Sequence, residues 1–275
     1  MIKIDLHTHS TFSDGTLSPA SLVKKARMKG ITVLSLTDHD TIDGMGEFMK
    51  ACRSCGIKCL TGVELSADFP STLHILGYRI DPDNAILKST LEQIRTYRNE
   101  RNVKIHGKLE ESGLDIGYED IVAEAEGSVL ARPHFARALV KKGYSRDIPS
   151  AFRDYLAKGA IAYVPRHRLS PSDCINLILE AGGLPVLAHP SQTSLDLSRL
   201  EDIVNELTGY GLWGIECIYS GYNSEQIFSY MKIAKKYSLR CTAGSDYHGQ
   251  SRSGIQPGIS VSEHFLPWAR LGITL

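Results

Sequence analysis

His7 and His9 flank a single residue at the end of the apolar run 2–6. In a strand, alternate side chains share a face, so both imidazoles point the same way, as a metal ion needs. Alone, the pair is a weak signal. It gains weight from Asp14 in Ser13-Asp14-Gly15, His39 in Thr37-Asp38-His39-Asp40, Glu64 after Gly62, then His74, His189, Asp246 and His248. Six of the ten histidines fall at these positions, beside three carboxylates. Any one of them has an ordinary structural reading. All nine together do not, because buried ionisable groups are costly unless paired or bound to metal. Nine ligands exceed what one ion takes, and imidazole with carboxylate, without thiolate, suits ions such as Zn, Mn or Fe. The residues therefore predict a cluster of two to three divalent cations (Mn, Fe, Zn or Mg), with Glu64 able to bridge two of them. Such clusters suit phosphate ester hydrolysis: they lower the pKa of a bound water and clamp the attacking and leaving oxygens. The chain has no Gly-X-Ser-X-Gly elbow and no Gly-rich P-loop, so a metal-bound hydroxide is the expected nucleophile rather than a Ser or Cys.

These residues sit at the ends of short apolar runs. Seven strands are predicted, near 2–6, 33–36, 60–63, 73–78, 184–188, 213–218 and 241–243. Helical patterns lie between most of them, at 18–29, 41–55, 197–209 and 223–237, the first opening on Ser18-Pro19 and ending at Gly30. Alternation of strand and helix predicts an α/β fold with a parallel sheet. Polar residues at the strand C-termini match a barrel enzyme, whose site lies at that end. The link from Glu64 to His74 resists this, being too short for a crossover helix. Residues 82–165 break the rhythm: they are rich in charge, show no clear strand and read as a helical insertion covering the active site. The barrel domain is then 1–81 with 166–275.

Lys and Arg number 31, as do Asp and Glu, in 275 residues, so the formal net charge is zero. That excludes a polybasic protein held on nucleic acid by bulk electrostatics and argues against long nucleic acid as the substrate. With 24 Gly, 11 Pro and 6 Cys, collagen-like, disordered and disulfide-scaffold classes do not fit. No apolar stretch reaches the ~18 residues of a membrane span, and the N-terminus lacks signal-peptide features. A cytoplasmic protein with free thiols is expected. Cys52, Cys55 and Cys59 are close in sequence, but no second pair follows to complete a structural zinc site.

The phrases Asp5-Leu6-His7-Thr8-His9-Ser10, Leu187-Ala188-His189-Pro190 and Gly244-Ser245-Asp246-Tyr247-His248-Gly249, in this order with Asp14, His39, Glu64 and His74, resemble the PHP (polymerase and histidinol phosphatase) family. The resemblance covers almost the whole chain. It implies a distorted seven-stranded (β/α) barrel of the amidohydrolase-like kind with a three-metal centre. One ion would take His7, His9, Glu64 and Asp246; a second Glu64, His74 and His189; a third Asp14, His39 and His248. Ala131-Arg132-Pro133-His134-Phe135-Ala136-Arg137 and Tyr163-Val164-Pro165-Arg166 resemble the subgroup whose helical insertion accompanies activity on nucleoside 3′,5′-bisphosphates or on the 5′ ends of short RNA. A phosphate needs fixed cationic donors, and Arg offers a planar fork. Arg132, His134, Arg166 and Arg168 are the candidate phosphate contacts, with Arg132 and His134 also the candidate catalytic groups; Tyr222 is a candidate stacking partner for a base. The expected substrate is a small phosphorylated nucleotide or short oligonucleotide, with no membrane partner. The alternatives are a histidinol-phosphate phosphatase and a non-catalytic metal-binding module.

Overall fold

A computed structural model describes residues 1–125 and 129–274. Residues 126–128, inside the expected insertion, lie outside the described residues. The strands are β1 (Ile2–Asp5), β2 (Val33–Leu36), β3 (Lys58–Ser66), β4 (His74–Tyr78), β5 (Leu184–Leu187), β6 (Gly214–Tyr219), β7 (Arg240–Gly244) and β8 (Ile259–Val261). They form one sheet in the order β7-β6-β5-β4-β3-β2-β1-β8. The expected count of seven is corrected to eight. The added strand is three residues long and runs antiparallel against Ile2–Ile4.

The parallel-sheet expectation holds only in part. Strands β1, β2 and β3 are parallel, as are β5, β6 and β7. Strand β4 is antiparallel to both of its neighbours. The short link from β3 is therefore a hairpin connection and needs no crossover helix. The barrel closes beyond β1, where Leu6 N–H donates to the Ala243 carbonyl at 3.2 Å and Asp246 N–H to the His7 carbonyl at 2.9 Å. Its apolar cluster includes Ile4, Leu6, Val33, Leu60, Leu76, Val186 and Ala243.

Helices α1 (Pro19–Met28) and α2 (Met45–Cys55) pack Leu22, Val23, Ala26 and Phe48 against Leu34 and Leu36 of β2. The Ser18 hydroxyl accepts from Ser21 N–H at 3.3 Å, and Pro19 occupies the first helical turn, where a missing N–H costs nothing. Between β4 and β5 come α3 (Ala85–Glu111), α4 (Tyr118–Ala123), α5 (Arg132–Lys141), α6 (Ile148–Ala151), a π turn at Phe152–Leu156 and α7 (Pro171–Glu180). Beyond β5 lie α8 (Pro190–Thr193), α9 (Leu197–Gly209), α10 (Ser224–Lys236) and α11 (Trp268–Leu271).

The chain divides into two compact units, Met1–Leu91 with Arg168–Leu275, and Glu92–His167. The dividing point falls inside α3. The second unit has its own core, in which Ile105, Leu109, Ile121, Phe135, Leu139 and Leu156 are buried together.

Candidate metal centre

Glu64 lies on β3 and is fully buried. Its two oxygens are ringed by five imidazoles. Oε2 is 3.0 Å from Nδ1 of His39 and 3.3 Å from Nε2 of both His7 and His9. Oε1 is 2.9 Å from Nδ1 of His74 and 2.9 Å from Nε2 of His189. Asp246 Oδ1 is 3.4 Å from Nε2 of His7 and 3.2 Å from Nε2 of His9. Asp14, half-exposed, is 3.1 Å from Nε2 of His248 and 3.8 Å from His39. All nine residues singled out in the sequence thus converge. Donor atoms of eight of them fall into three groups, each within 4.8 Å: His7, His9, Glu64 and Asp246; His9, Asp14, His39 and His248; His39, Glu64 and His74. His189 stands outside these groups and joins the centre through Glu64 Oε1.

The topology explains the convergence. His7 and His9 follow β1, His39 follows β2, His189 follows β5, and Asp246 and His248 follow β7. His74 is instead the first residue of β4, and β4 runs the opposite way. Its N-terminal end therefore arrives where its neighbours present their C-terminal ends. Asp246 and His189 both have positive φ, at 58° and 25°. Non-glycine residues there cost ~1–3 kcal/mol each and persist where surrounding structure fixes them. Here the fixing bonds are Asp246 N–H to the His7 carbonyl and His189 N–H to Glu216 Oε2 at 2.8 Å.

Burial opposes the charge on Glu64, but the imidazoles of His39, His7 and His74 hold its carboxyl well below the usual range. Asp246 is held low in the same way, against burial, by His7 and His9. Burial opposes charging of His39 too, yet Glu64 and Asp14 push it up to about 10. Burial and the His9 imidazole instead bring His248 down to about 4. Glu64 Oε2, Asp246 Oδ1, His39 Nδ1 and His248 Nε2 are buried without a hydrogen-bond partner. Native interiors rarely leave such atoms unsatisfied, and divalent cations such as Zn, Mn or Fe are the partner that imidazole and carboxylate together accept. The donor set fits metal ions.

The PHP domain family matches over residues 5–158, more than half of the chain. The chain belongs to the PHP domain family. It is 35% identical over 247 residues to a 5′-3′ exoribonuclease of Haemophilus influenzae, covering 90% of each chain. It is 33% identical over 260 residues to a 3′,5′-nucleoside bisphosphate phosphatase of Chromobacterium violaceum, covering 94% of this chain and 91% of the relative. The fold superposes on an amidohydrolase from Chromobacterium violaceum, solved with sulfate and no metal, with a TM-score of 0.82 and 31% identity over 98% of this chain and 95% of that one.

Several residues that shape this PHP centre escaped the sequence reading. Glu216, buried on β6, accepts at Oε1 from His7 Nδ1 at 3.0 Å. That contact puts the His7 proton on Nδ1 and leaves Nε2 facing Glu64. Asp246 Oδ2 accepts from Tyr219 Oη at 3.0 Å and pairs with Arg252, which leaves Oδ1 for the cluster. Asp5 accepts from Ser245 N–H at 2.8 Å and Oγ at 2.6 Å, and from Gly258 N–H at 2.8 Å, which ties β1 to the loops after β7. Asp38 accepts from Ser10 N–H at 2.7 Å and Ser13 Oγ at 2.5 Å, and so holds the turn that carries Asp14. Replacing Glu216 by Gln is expected to weaken metal affinity by about 10–100-fold with the fold intact, the usual effect of losing a ligand's orienting partner; a competition titration with a chromophoric chelator reads it, and unchanged affinity would remove Glu216 from this role.

Gly244 packs directly beneath His7. A Cβ there would meet His7 Cβ at 2.3 Å and Glu216 Oε1 at 2.7 Å. Gly244→Ala is expected to cost about 1–3 kcal/mol as an overpacked site and to lower metal content. Urea unfolding with metal analysis tests this, and wild-type values in both would show that the strand can shift.

The candidate substrate residues divide between the two units. Arg168 and Tyr222 belong to the first, and Arg132, His134 and Arg166 to the second. Arg168 Nη1 donates to the Ala67 carbonyl at 3.3 Å, and Tyr222 Oη accepts from Ser191 N–H at 3.1 Å. His134 Nδ1 accepts from Ala131 N–H at 2.8 Å, which caps the start of α5, and Arg132 Nη1 donates to the Leu156 carbonyl at 3.3 Å. Among the described residues, no helix is long and apolar enough to cross a membrane.

Proposed function

We propose that this PHP domain protein is a metal-dependent phosphoesterase acting on nucleotides, with nucleoside 3′,5′-bisphosphates or short oligoribonucleotides as substrates. The observation that carries the reading is the convergence of five imidazoles on the two oxygens of buried Glu64, flanked by Asp246 and Asp14. A protein has no structural need for such a cluster, and divalent ions satisfy it. His7, His9, Glu64 and Asp246 would hold one ion, Glu64 with His74 and His189 a second, and Asp14, His39 and His248 a third. When bound, the ions supply Lewis acidity toward a phosphoryl group.

The chain's own residues do the rest. Glu216 keeps the His7 proton on Nδ1. Tyr219 and Arg252 hold Asp246 in one orientation. Full burial of Glu64 and His7 strengthens the electrostatic interactions between them, while half-exposed Asp14 leaves one side of the centre open to solvent. Arg132, His134, Arg166 and Arg168 are assigned to the substrate phosphates and Tyr222 to the base. The nucleotide preference draws support from the two relatives, an exoribonuclease and a bisphosphate phosphatase, each matched over most of its length.

The test is phosphate release by the Mn-loaded protein from adenosine 3′,5′-bisphosphate, with AMP and histidinol phosphate in parallel and a short RNA assayed for shortening. Turnover of the bisphosphate or the RNA is expected. Release from histidinol phosphate alone would overturn the nucleotide class, and no turnover of any of the four would overturn the enzyme reading.

A further inference from the structure

The six cysteines are free thiols, and two of them face each other across neighbouring strands. Cys217 on β6 directs its S–H at Cys241 Sγ on β7, with the sulfurs 3.1 Å apart. The strands pair Ile215 with Cys241 and Glu216 with Thr242, then slip, so that Ile218 pairs with Ala243. Cys217 is the extra residue at this irregularity. A bulged residue is released from the ladder and can move without breaking a backbone pair. A disulfide needs its sulfurs at about 2.05 Å. Cys241 stands opposite Ile215, so Cys217 reaches it on the diagonal, and the irregularity is where β6 can shift to let the bond close. The pair is therefore about 1 Å of sulfur movement from a covalent bond, at the one place on β6 where the backbone has slack.

We propose that Cys217 and Cys241 form a reversible dithiol–disulfide site that exchanges with low-molecular-weight disulfides. Nothing in the phosphoesterase reading uses either thiol. Cys241 is half-buried and Cys217 fully buried, so Cys241 meets the reagent first. The S–H donated by Cys217 holds the Cys241 thiol below its usual range, while burial pushes Cys217 well above it. Cys241 is the attacking thiol and Cys217 the resolving one. In the first step Cys241 Sγ, as thiolate, attacks one sulfur of oxidised glutathione; that S–S bond breaks, and the departing glutathione takes up the proton Cys241 lost. In the second, Cys217 Sγ gives up its proton and attacks Cys241 Sγ, expelling the second glutathione as its thiol. The protein pair is oxidised by two electrons, and one glutathione disulfide is reduced to two thiols. The new bond would cross from β6 to β7 one residue from Glu216.

The experiment incubates the whole folded protein with oxidised glutathione, alkylates remaining thiols after denaturation, and maps the peptides by mass spectrometry. A Cys217–Cys241 linked peptide pair is expected, lighter by two hydrogens than the reduced peptides and abolished by dithiothreitol. In Cys217→Ser, a glutathione adduct is expected to accumulate on Cys241, because the resolving thiol is gone. Alkylation of both cysteines in the wild type, a persistent adduct there, or linkage confined to Cys52 and Cys59 would overturn the proposal. If Cys217→Ser does not fold, the wild-type map decides alone.

Discussion

Glu64→Gln is expected to strip the centre of metal and abolish phosphate release, the largest effect of any single substitution in this chain. The change is nearly isosteric, so packing is kept and the charge alone is removed. That charge is what five imidazoles share. Without it, His7 and His39 lose the partner that favours their protonated forms, and each donor group that includes Glu64 loses an anionic ligand. Removing one member of a buried ion pair costs ~3–5 kcal/mol when the remaining charge cannot adapt. Imidazoles adapt by losing a proton, so about 3 kcal/mol is expected for the metal-free protein near neutral pH. Metal analysis, phosphate release and urea unfolding measure the three parts. Full metal content with undiminished turnover would show that Glu64 is not at the heart of the centre.

Chelation should have an effect of similar size, and its pH dependence carries a sign that can be checked. In the metal-free protein, burial opposes protonation of His39, but Glu64 and Asp14 raise it from 6.5 to about 10. A raised folded-state pKa gives stability that is fully present below the unfolded value near 6.5 and is lost as pH rises through about 10. Metal binding needs neutral imidazole and so displaces that proton, with affinity rising about tenfold per pH unit for each proton released. Between pH 6.5 and 10 the His39 contribution makes the metal-free protein less stable, while the same protein binds metal more tightly. His74 and His248 have lowered values and take up ions without releasing protons in this window. Thermal unfolding of chelator-treated protein and Mn titrations across the range test the two slopes. Slopes of the same sign would contradict the charged state assigned to His39. Activity should vanish with chelator and return with Mn.

The sequence made the centre more legible than the sheet. Protein metal ligands come from a few residue types, and in a barrel they gather toward one end of the strands, so His7, His9, Glu64, His189 and His248 declare themselves by type and position. The sheet was harder. Strand β8 is three residues long and too short to show a period. The reversal of β4 left a trace, the short link from Glu64 to His74, but the trace did not say which way the strand would run. Glu216 had a signal that went unread: an acidic residue in the middle of Trp213-Gly214-Ile215-Glu216-Cys217-Ile218 is expensive to bury without a partner. Arg252 had none. It ends the short 3-10 turn Gly249–Arg252, which brings it to Asp246.

The closure of the barrel through Leu6 and Ala243 sets an order of events during synthesis. The first ligands to leave the ribosome, His7 and His9, must wait for Asp246 and His248, so their contacts span almost the entire chain. Long-range contacts of this kind form late, because the loop entropy comes before any reward. The second compact unit, Glu92–His167, is continuous and can gather its core while the ligands of the first are still unpaired. A nascent chain stalled before β7 lacks Asp246 and His248, and so two of the nine candidate ligands. Ions held more tightly by the complete ligand set than by any such fragment would favour the closed barrel by mass action, so metal would stabilise the molecule only once β1 and β7 have met.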